Sequence, residues 1–248
     1  MKRSNNPFTG ALYVLRGMQL IKRPGLRRFI VLPLAINIAL FISLGVLSFS
    51  FLNDYIGRAM EAVPEWLQWI ELLVYFALAA GFIMLVFFSF TLLANLVSSP
   101  FNGPLAEAVE KITVTTSSET PELPWHESFK TLPGVLKEEF IKLRYSLLWT
   151  IPFVALLFIP GVNFIGSALW LCFSAWMLAL QYMDYPFSNH DSRFDNSRKE
   201  LRKRIGLTMG FGFAVLLVTM IPLLNLIIVP SAVAGASLMY VEQFSEES

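Results

Sequence analysis

The sequence is poor in charged residues for its length. Lys, Arg, Asp and Glu make up 15% of the 248 residues, whereas a soluble domain carries about 25%. Hydrophobic residues account for 55% of the chain, and the mean hydropathy is +0.59. This composition is typical of an integral membrane protein. The net charge of +1 provides no global basic field, so we expect no nucleic-acid partner.

Cysteine and histidine are scarce, and the common enzyme motifs are absent. Cys172 is the single cysteine and lies within an apolar run, so we interpret it as a small packing residue. There is no Walker loop, HExxH, GxSxG elbow or paired-cysteine motif. His126 and His190 lie in polar segments, and the second is interpreted as part of a solvated turn rather than as a metal ligand. We therefore predict no enzyme activity, no cofactor and no metal.

Four long stretches contain no charged side chain. They are residues 29–53, 72–106, 145–183 and 205–241. A helix of about 20 residues crosses a hydrocarbon core of about 30 Å, and helices satisfy their own backbone groups in lipid. The sequence therefore predicts an all-α integral membrane protein, with transmembrane helices at 28–52 and 68–98.

The third and fourth stretches are each broken near the middle by an Ile-Pro-x-x-Asn sequence, at residues 159–163 and 221–225. Proline disfavours helix in the residue before it, and Gly or Asn supports a turn. The helical arms before the breaks are only about 22–25 Å long. We therefore predict two re-entrant, hemi-penetrating helical hairpins, at 145–183 and 205–241.

Lysine and arginine are unevenly distributed along the chain. Residues 1–28 carry seven basic residues and no acid, whereas the loop at 53–71 carries one basic residue and four acids. Basic loops face the cytoplasm, so both termini are predicted to be cytoplasmic in a multi-pass protein of an inner membrane.

The remaining segments complete a single membrane domain over residues 1–248. Apolar residues recur at helical spacing near the N-terminus, which predicts an interfacial amphipathic helix at 7–23. Residues 104–144 include a polar stretch with two prolines and are predicted to form a cytoplasmic segment.

One feature that suggests anion binding is the sequence Pro24-Gly25-Leu26-Arg27-Arg28 before the first membrane helix. Glycine allows close approach of a ligand to the backbone, and a helix N-terminus attracts anions. Two arginine forks suit a tetrahedral oxyanion. Arginine at a cytoplasmic helix end also has an ordinary role in topology and lipid contact, and both interpretations stay open.

A second feature is an asparagine within or at the turn of each membrane element: Asn37, Asn95, Asn163 and Asn225. An amide in lipid is costly unless it is paired or faces water. The four side chains are therefore candidates for lining a pore. They equally fit caps of turns or hydrogen bonds between helices.

Three sequence blocks resemble the bacterial CysZ sulfate transporters. They read LVSSPFNGPLAE at 96–107, QYMDYPFSNH at 181–190 and MIPLLN at 220–225. With Gly25-Leu26-Arg27-Arg28, they follow the same order over nearly the whole chain.

The resemblance implies sulfate uptake across the bacterial inner membrane to supply cysteine biosynthesis, with sulfite or thiosulfate as further candidate substrates. It implies two transmembrane helices plus two hemi-penetrating hairpins, a sulfate site at Gly25, Leu26, Arg27 and Arg28, and a pore along the four asparagines. Family members form dimers or larger oligomers, including antiparallel pairs. Here the lysine and arginine bias favours a single orientation.

Charged residues at the mouths of the hairpins suggest a cytoplasmic ion network of Glu107, Asp184 and Arg193, although their simplest role is to hold loops together. No coupling-ion carboxylate lies in the apolar stretches, which favours a channel-like conduit without ATP hydrolysis. Two alternatives stay open. One is a non-transporting membrane scaffold, as suggested for the eukaryotic etoposide-induced relatives. The other is a membrane-embedded enzyme that uses the loop histidines.

Overall fold

The computed structural model describes residues 4–61, 73, 76–77, 79–84, 101–114, 132–159, 161–190 and 192–245, without the side chains of 48–57, 59–61, 132–139 and 222–226. All regular secondary structure in this part of the chain is helical, which confirms the predicted all-α class. The helices are α1 (Pro7–Leu20), α2 (Arg28–Glu61), α3 (residues 101–114), α4 (Leu132–Leu157), α5 (Asn163–Asn189), α6 (Phe194–Lys203), α7 (Ile205–Thr219) and α8 (Pro222–Gln243).

The chain forms two compact units. The first comprises Met1–Ile30 and Phe101–Ser248, and the second comprises Val31–Pro100. The second unit contains most of α2, whose described side chains are largely exposed and apolar, such as Val46 at 64% exposure. The buried core described below lies within the first unit.

Among the described residues, three helical segments are long and apolar enough to cross a membrane: Arg28–Leu47, Phe140–Leu157 and Asn163–Asn189. The first is almost unburied within its own fold and has a mean hydropathy of 2.5. An exposed apolar helix is stable when lipid covers it. These segments support an integral membrane protein. Most of the predicted helix at 68–98 lies outside the described residues, and those described within it are helical.

Both helix breaks lie where the sequence predicts them. Helix α4 ends at Leu157 and α5 begins at Asn163, with Gly161 between them in the left-handed region at φ +83°. Helix α7 ends at Thr219, and α8 begins with Pro222 at its first position, where a missing N–H costs nothing. The third and the fourth apolar stretch are therefore each a pair of helices joined by a short turn.

The depth of the hairpins stays a prediction. The apolar part of α4 has 18 residues and α5 has 27, or about 27 Å and 40 Å of helix. These arms are longer than predicted because α4 begins upstream of Tyr145 and α5 continues through Pro186. Helix α7, with 15 residues, is about 22 Å long.

Helix α1 packs closely against both arms of the second hairpin through four glycines, which we call the glycine seam: Gly10, Gly17, Gly210 and Gly235. A methyl group on any of them would lie 1.9–2.4 Å from a backbone carbonyl oxygen of the facing helix. Such close approach is typical of helix pairs in membranes, where small residues replace the hydrophobic effect as the basis of association.

The core of the first unit lies where α1, α3, α5, α7 and α8 meet. Its large, fully buried side chains include Tyr13, Leu105, Met183, Phe211 and Met239, one from each of these helices. The second hairpin and α1 are therefore packed as one body with the end of α5 and with α3. Burial of each such side chain contributes about 1.5–3 kcal/mol.

The outer face of α1 carries Phe8, Leu12 and Leu15, all more than half exposed. Their spacing places them on one stripe of the helix. An exposed apolar stripe suits the membrane interface. The interfacial location predicted for residues 7–23 stays a prediction, while the helix itself ends at Leu20 and residues 21–23 belong to the following turn.

Candidate functional site

The turn between α1 and α2 is fixed by two buried anchors. Leu26 is fully buried and Phe29 is 3% exposed, and both belong to the core of the first unit. Gly25 lies between α1 and these anchors with φ of +93°, a conformation that glycine adopts without steric cost. The side chain of Leu26 is unavailable to a ligand, so this residue positions the turn.

The two arginines of the turn differ in exposure. Arg27 is exposed, and its Nε donates a hydrogen bond to the Lys22 carbonyl at 2.8 Å. The guanidinium of Arg28, the first residue of α2, lies 5.0 Å from the centre of the Phe29 ring. Stacking on an aromatic ring orients a guanidinium and leaves its edge for hydrogen bonds.

Backbone donors add to this turn. The N–H groups of Phe29 and Ile30 donate to the carbonyls of Leu26 and Arg27, at 3.1 Å each. Within the described chain, no carbonyl accepts a hydrogen bond from the N–H of Gly25 or Arg27. Two amide donors, two guanidinium groups and a helix N-terminus therefore lie within four residues, which is a suitable arrangement for an oxyanion.

The four asparagines predicted to line a pore lie in different surroundings. Asn37 lies half-buried on α2 in the second unit. Asn163 is exposed at the first position of α5, and its carbonyl accepts a hydrogen bond from the Ser167 hydroxyl at 2.9 Å. Asn95 and the side chain of Asn225 lie outside the described residues. A pore lined by the four stays a prediction.

The charged residues proposed for a cytoplasmic network each have local partners. Glu107 pairs with Lys111 one turn along α3, at 2.5 Å. Asp184 pairs with Lys142 of α4 at 2.5 Å, where both side chains are less than one-fifth exposed. Arg193 caps α6 through its carbonyl. Among the described contacts, none joins Glu107, Asp184 and Arg193, so a network of all three stays a prediction.

The structure reveals a polar contact between α3 and the end of α5 that the sequence did not indicate. His190 Nε2 lies 2.7 Å from Glu110 Oε2, and Asn189 donates to the other carboxylate oxygen at 3.2 Å. The His190 ring also stacks on Tyr240 of α8, with centroids 4.9 Å apart. Burial raises the pKa of Glu110, and the hydrogen bonds from His190 and Asn189 act against it.

His190 is therefore part of a contact between helices rather than a free loop residue. The described residues contain no cluster of three or more metal-ligating side chains, and His126 and Asp191 lie outside them. Cys172 is exposed on α5. The packing role predicted for it is therefore wrong for this fold, because its face of the helix points away from the core.

A second unexpected cluster, which we call the terminal clasp, joins the two ends of the chain. The Tyr13 hydroxyl donates to Glu242 at 2.8 Å, and Arg16 binds both oxygens of that carboxylate. Gln243 donates to Tyr13 at 3.2 Å and accepts from the backbone N–H of Ser4 at 2.9 Å. These residues are more than 220 positions apart in sequence, so only the fold brings them together.

Replacing Glu242 by glutamine is expected to lower the apparent melting temperature of the purified protein by about 2–4 °C. Glu242 lies one residue beyond the apolar stretch and accepts charge-assisted hydrogen bonds. Because Arg16 is 44% exposed, the contribution of its ion pair with Glu242 to the stability of the fold is only about 1 kcal/mol. Thermal unfolding in detergent measures the change, with Glu200→Gln on the exposed face of α6 as the control.

The difference in melting temperature between the wild type and Glu242→Gln depends on pH through the pKa of Glu242. Burial acts to raise this pKa, but the hydrogen bonds from Arg16 and Tyr13 outweigh it and hold it below its usual value. A lowered carboxyl pKa stabilises the fold above the unfolded value of about 4.3, and the contribution is lost as pH falls through the folded value. The wild-type advantage should therefore be full at pH 7 and disappear in acid. An equal advantage at every pH would contradict this assignment.

Comparison with known proteins identifies relatives over nearly the whole chain. Residues 13–230 match the family model described as "Sulfate transporter CysZ/Etoposide-induced protein 2.4". A sulfate transporter CysZ of Pseudomonas fluorescens (strain Pf0-1) is 39% identical over 97% of this chain and 96% of its own length. Its counterpart in Pectobacterium atrosepticum is 42% identical over 95% of this chain and 86% of its own length.

A sulfate transporter CysZ of Pseudomonas aeruginosa (strain LESB58) is 37% identical over 97% of this chain and 98% of its own length. The names of these relatives describe transport, which is not an enzymatic activity and agrees with the prediction that this protein is not an enzyme. The match covers the arginine turn, α3, the first hairpin and the second hairpin up to residue 230. The chain therefore belongs to the sulfate transporter CysZ/etoposide-induced protein 2.4 family.

Proposed function

We propose that this protein takes up sulfate across the bacterial inner membrane. The observation that supports this most directly is the arginine turn: Arg27 and Arg28 stand at the start of an apolar helix, on a turn held by two buried anchors. Relatives that are 37–42% identical are named sulfate transporters, which makes sulfate the best candidate for an anion at this turn.

The chemistry of the turn suits a divalent tetrahedral oxyanion. Two guanidinium groups balance its two charges and present paired N–H donors at fixed angles. The backbone N–H groups of Gly25 and Arg27 and the N-terminus of α2 add weaker attraction. Because Leu26 and Phe29 are buried, the turn is already ordered before the anion arrives, so binding loses little conformational entropy.

Beyond the turn, we propose a channel-like route that needs no ATP hydrolysis by this protein. The apolar stretches carry no charged side chain, and the asparagines at 37, 95, 163 and 225 are its candidate lining. Amide donors replace part of the water around an anion without holding it as strongly as a full charge would. The imported sulfate would supply cysteine biosynthesis, and sulfite and thiosulfate are candidate competitors.

We propose that the two hairpins are re-entrant and that both termini are cytoplasmic. The turn of the first hairpin exposes Phe158 and Phe164 by more than 80%, and that of the second exposes Met220 and Ile221. A turn in water is normally polar, so these apolar turns are suited to hydrocarbon. The lysine and arginine bias favours one orientation for all protomers of a homo-oligomer.

Cysteine labelling tests the position of the first turn. In a Cys172→Ser background, a cysteine replacing Phe158 is expected to resist a membrane-impermeant maleimide from both sides of the membrane, because the reagent does not enter hydrocarbon. A cysteine replacing Lys199, exposed on α6, should react from the cytoplasmic side. Rapid labelling at position 158 from the periplasm would show instead that the first hairpin crosses the whole bilayer.

A growth assay tests the proposed function itself. In a strain without its own sulfate uptake systems, this protein should support growth on low sulfate, and the Arg27→Ala, Arg28→Ala double variant should not. Both strains should grow equally when cysteine is supplied. If the protein were a scaffold, the wild type would fail on low sulfate although it is present in the membrane.

A further inference from the structure

An apolar groove of about 480 Å³ lies between α1 and α7 in the first unit. Phe8 and Ala11 form one wall, and Ile205, Met209, Ala214 and Leu217 lie along the other. Phe8 and Leu217 are 79% and 62% exposed, so the groove is open on its outer side. From Ile205 to Leu217 it follows about 18 Å of helix, close to the thickness of one leaflet, which is about 15 Å.

The glycine seam explains why this surface is a groove. Gly210 brings the backbone of α7 within van der Waals contact of Pro7, so the two helices meet at the bottom without side chains between them. The Asn5 side chain accepts hydrogen bonds from the N–H groups of Gly206 and Leu207, at 2.9 Å and 3.3 Å, and ties the start of α1 to the start of α7. The groove is therefore a permanent feature of the fold.

Basic residues flank one end of the groove. Arg202, Lys203 and Arg204 directly precede Ile205, which lines that end. Arg204 is directed toward Gln243 and the Phe244 ring. Arg202 is exposed, and Lys203 is 68% exposed in a pair with Glu200. Two exposed basic residues thus come directly before the end of the groove in sequence.

We propose that this groove is a binding site for an anionic phospholipid. One acyl chain lies along α7 between α1 and Leu217, and the phosphate is bound by Arg202 and Lys203. The length of the groove matches a single leaflet, and its basic end matches the depth at which headgroups lie. A basic pocket beside membrane helices is a recognised arrangement for anionic headgroups. The site lies on α1, α6 and α7 and does not depend on sulfate transport.

The test measures retention of lipid by purified protein with native mass spectrometry, after addition of phosphatidylglycerol or phosphatidylcholine to detergent micelles. The headgroup variant is Arg202→Gln with Lys203→Gln, at exposed positions. Its control, Lys111→Gln with Arg144→Gln, removes the same charges from exposed positions outside the groove. The groove variant is Ala214→Phe, and its control is Ala155→Phe on the exposed face of α4.

The wild type and both controls are expected to retain one phosphatidylglycerol with a preference of roughly 20-fold over phosphatidylcholine. The headgroup variant should lose most of that preference, and the groove variant should retain neither lipid. Equal retention of the two lipids by the wild type would overturn the proposal. So would a shift of Ala214→Phe from dimer to monomer with phosphatidylglycerol still bound, because the groove would then hold a second copy of the chain.

Discussion

Replacing Arg27 and Arg28 together by alanine is expected to weaken sulfate binding to the purified protein by about 100-fold. A hydrogen bond to a charged group is worth about 1.5–3 kcal/mol. Because Arg27 is exposed, we take the lower limit for each arginine, which gives a combined loss of binding free energy of about 3 kcal/mol. Each 1.4 kcal/mol of binding free energy changes the affinity tenfold. Binding of labelled sulfate to detergent-solubilised protein measures the change, with phosphate as the competitor.

Two further variants separate the arginine site from general loss of charge. Arg58→Ala with Arg144→Ala removes two other exposed arginines and should leave the affinity within two- to three-fold of wild type. Arg27→Lys with Arg28→Lys keeps both charges but loses the planar forks, so it should bind with intermediate affinity. Wild-type affinity in the double alanine variant would place the anion elsewhere.

Replacing Gly17 by alanine is expected to have the largest effect on stability. Its added methyl would lie 2.1 Å from the Ser231 carbonyl oxygen and 2.7 Å from the Gly235 nitrogen. Both are backbone atoms, so the clash is relieved only if α1 moves away from α8. That movement exposes Tyr13 and Val14, which are now buried. Overpacking lowers the stability of the fold by about 1–3 kcal/mol and occasionally more. A loss of about 3 kcal/mol would lower the melting temperature by about 6–12 °C.

Gly45 offers a matched control because it is also a helical glycine, and among the described residues a methyl group added there would meet no atom beyond its own helix within 4 Å. Alanine is about 1 kcal/mol better than glycine within a helix, so Gly45→Ala should leave the melting temperature unchanged or raise it slightly. Thermal unfolding in detergent compares the two variants. A Gly17→Ala protein as stable as Gly45→Ala would mean that α1 is not seated on the glycine seam.

Local sequence chemistry was sufficient to predict where the hairpins turn. Proline removes an N–H and constrains the residue before it, and Gly161 supplies a left-handed turn, so both breaks are determined within a few residues. The end of α2 was less predictable. It continues past the predicted residue 52 to Glu61, because a helix that leaves the hydrocarbon can continue in water with charged residues such as Asp54 and Arg58.

Contacts between distant segments could not be predicted from one sequence. Gly10 meets the backbone of Leu207, and Gly17 meets that of Ser231, about 200 positions away in each case. Each glycine alone resembles an ordinary helical glycine. The same holds for Glu110 with His190 and for Tyr13 with Glu242. In contrast, the arginine turn was predictable because its glycine, its arginines and the start of the apolar helix are adjacent in sequence.

Sulfate flux into vesicles tests the central claim most directly. Purified protein is reconstituted into liposomes, a sulfate gradient is imposed without ATP, and labelled sulfate inside is followed over time. We expect sulfate to enter vesicles with wild-type protein at least ten times faster than protein-free vesicles or vesicles with the double alanine variant. Entry at the protein-free rate, with protein that is folded and binds sulfate, would contradict transport.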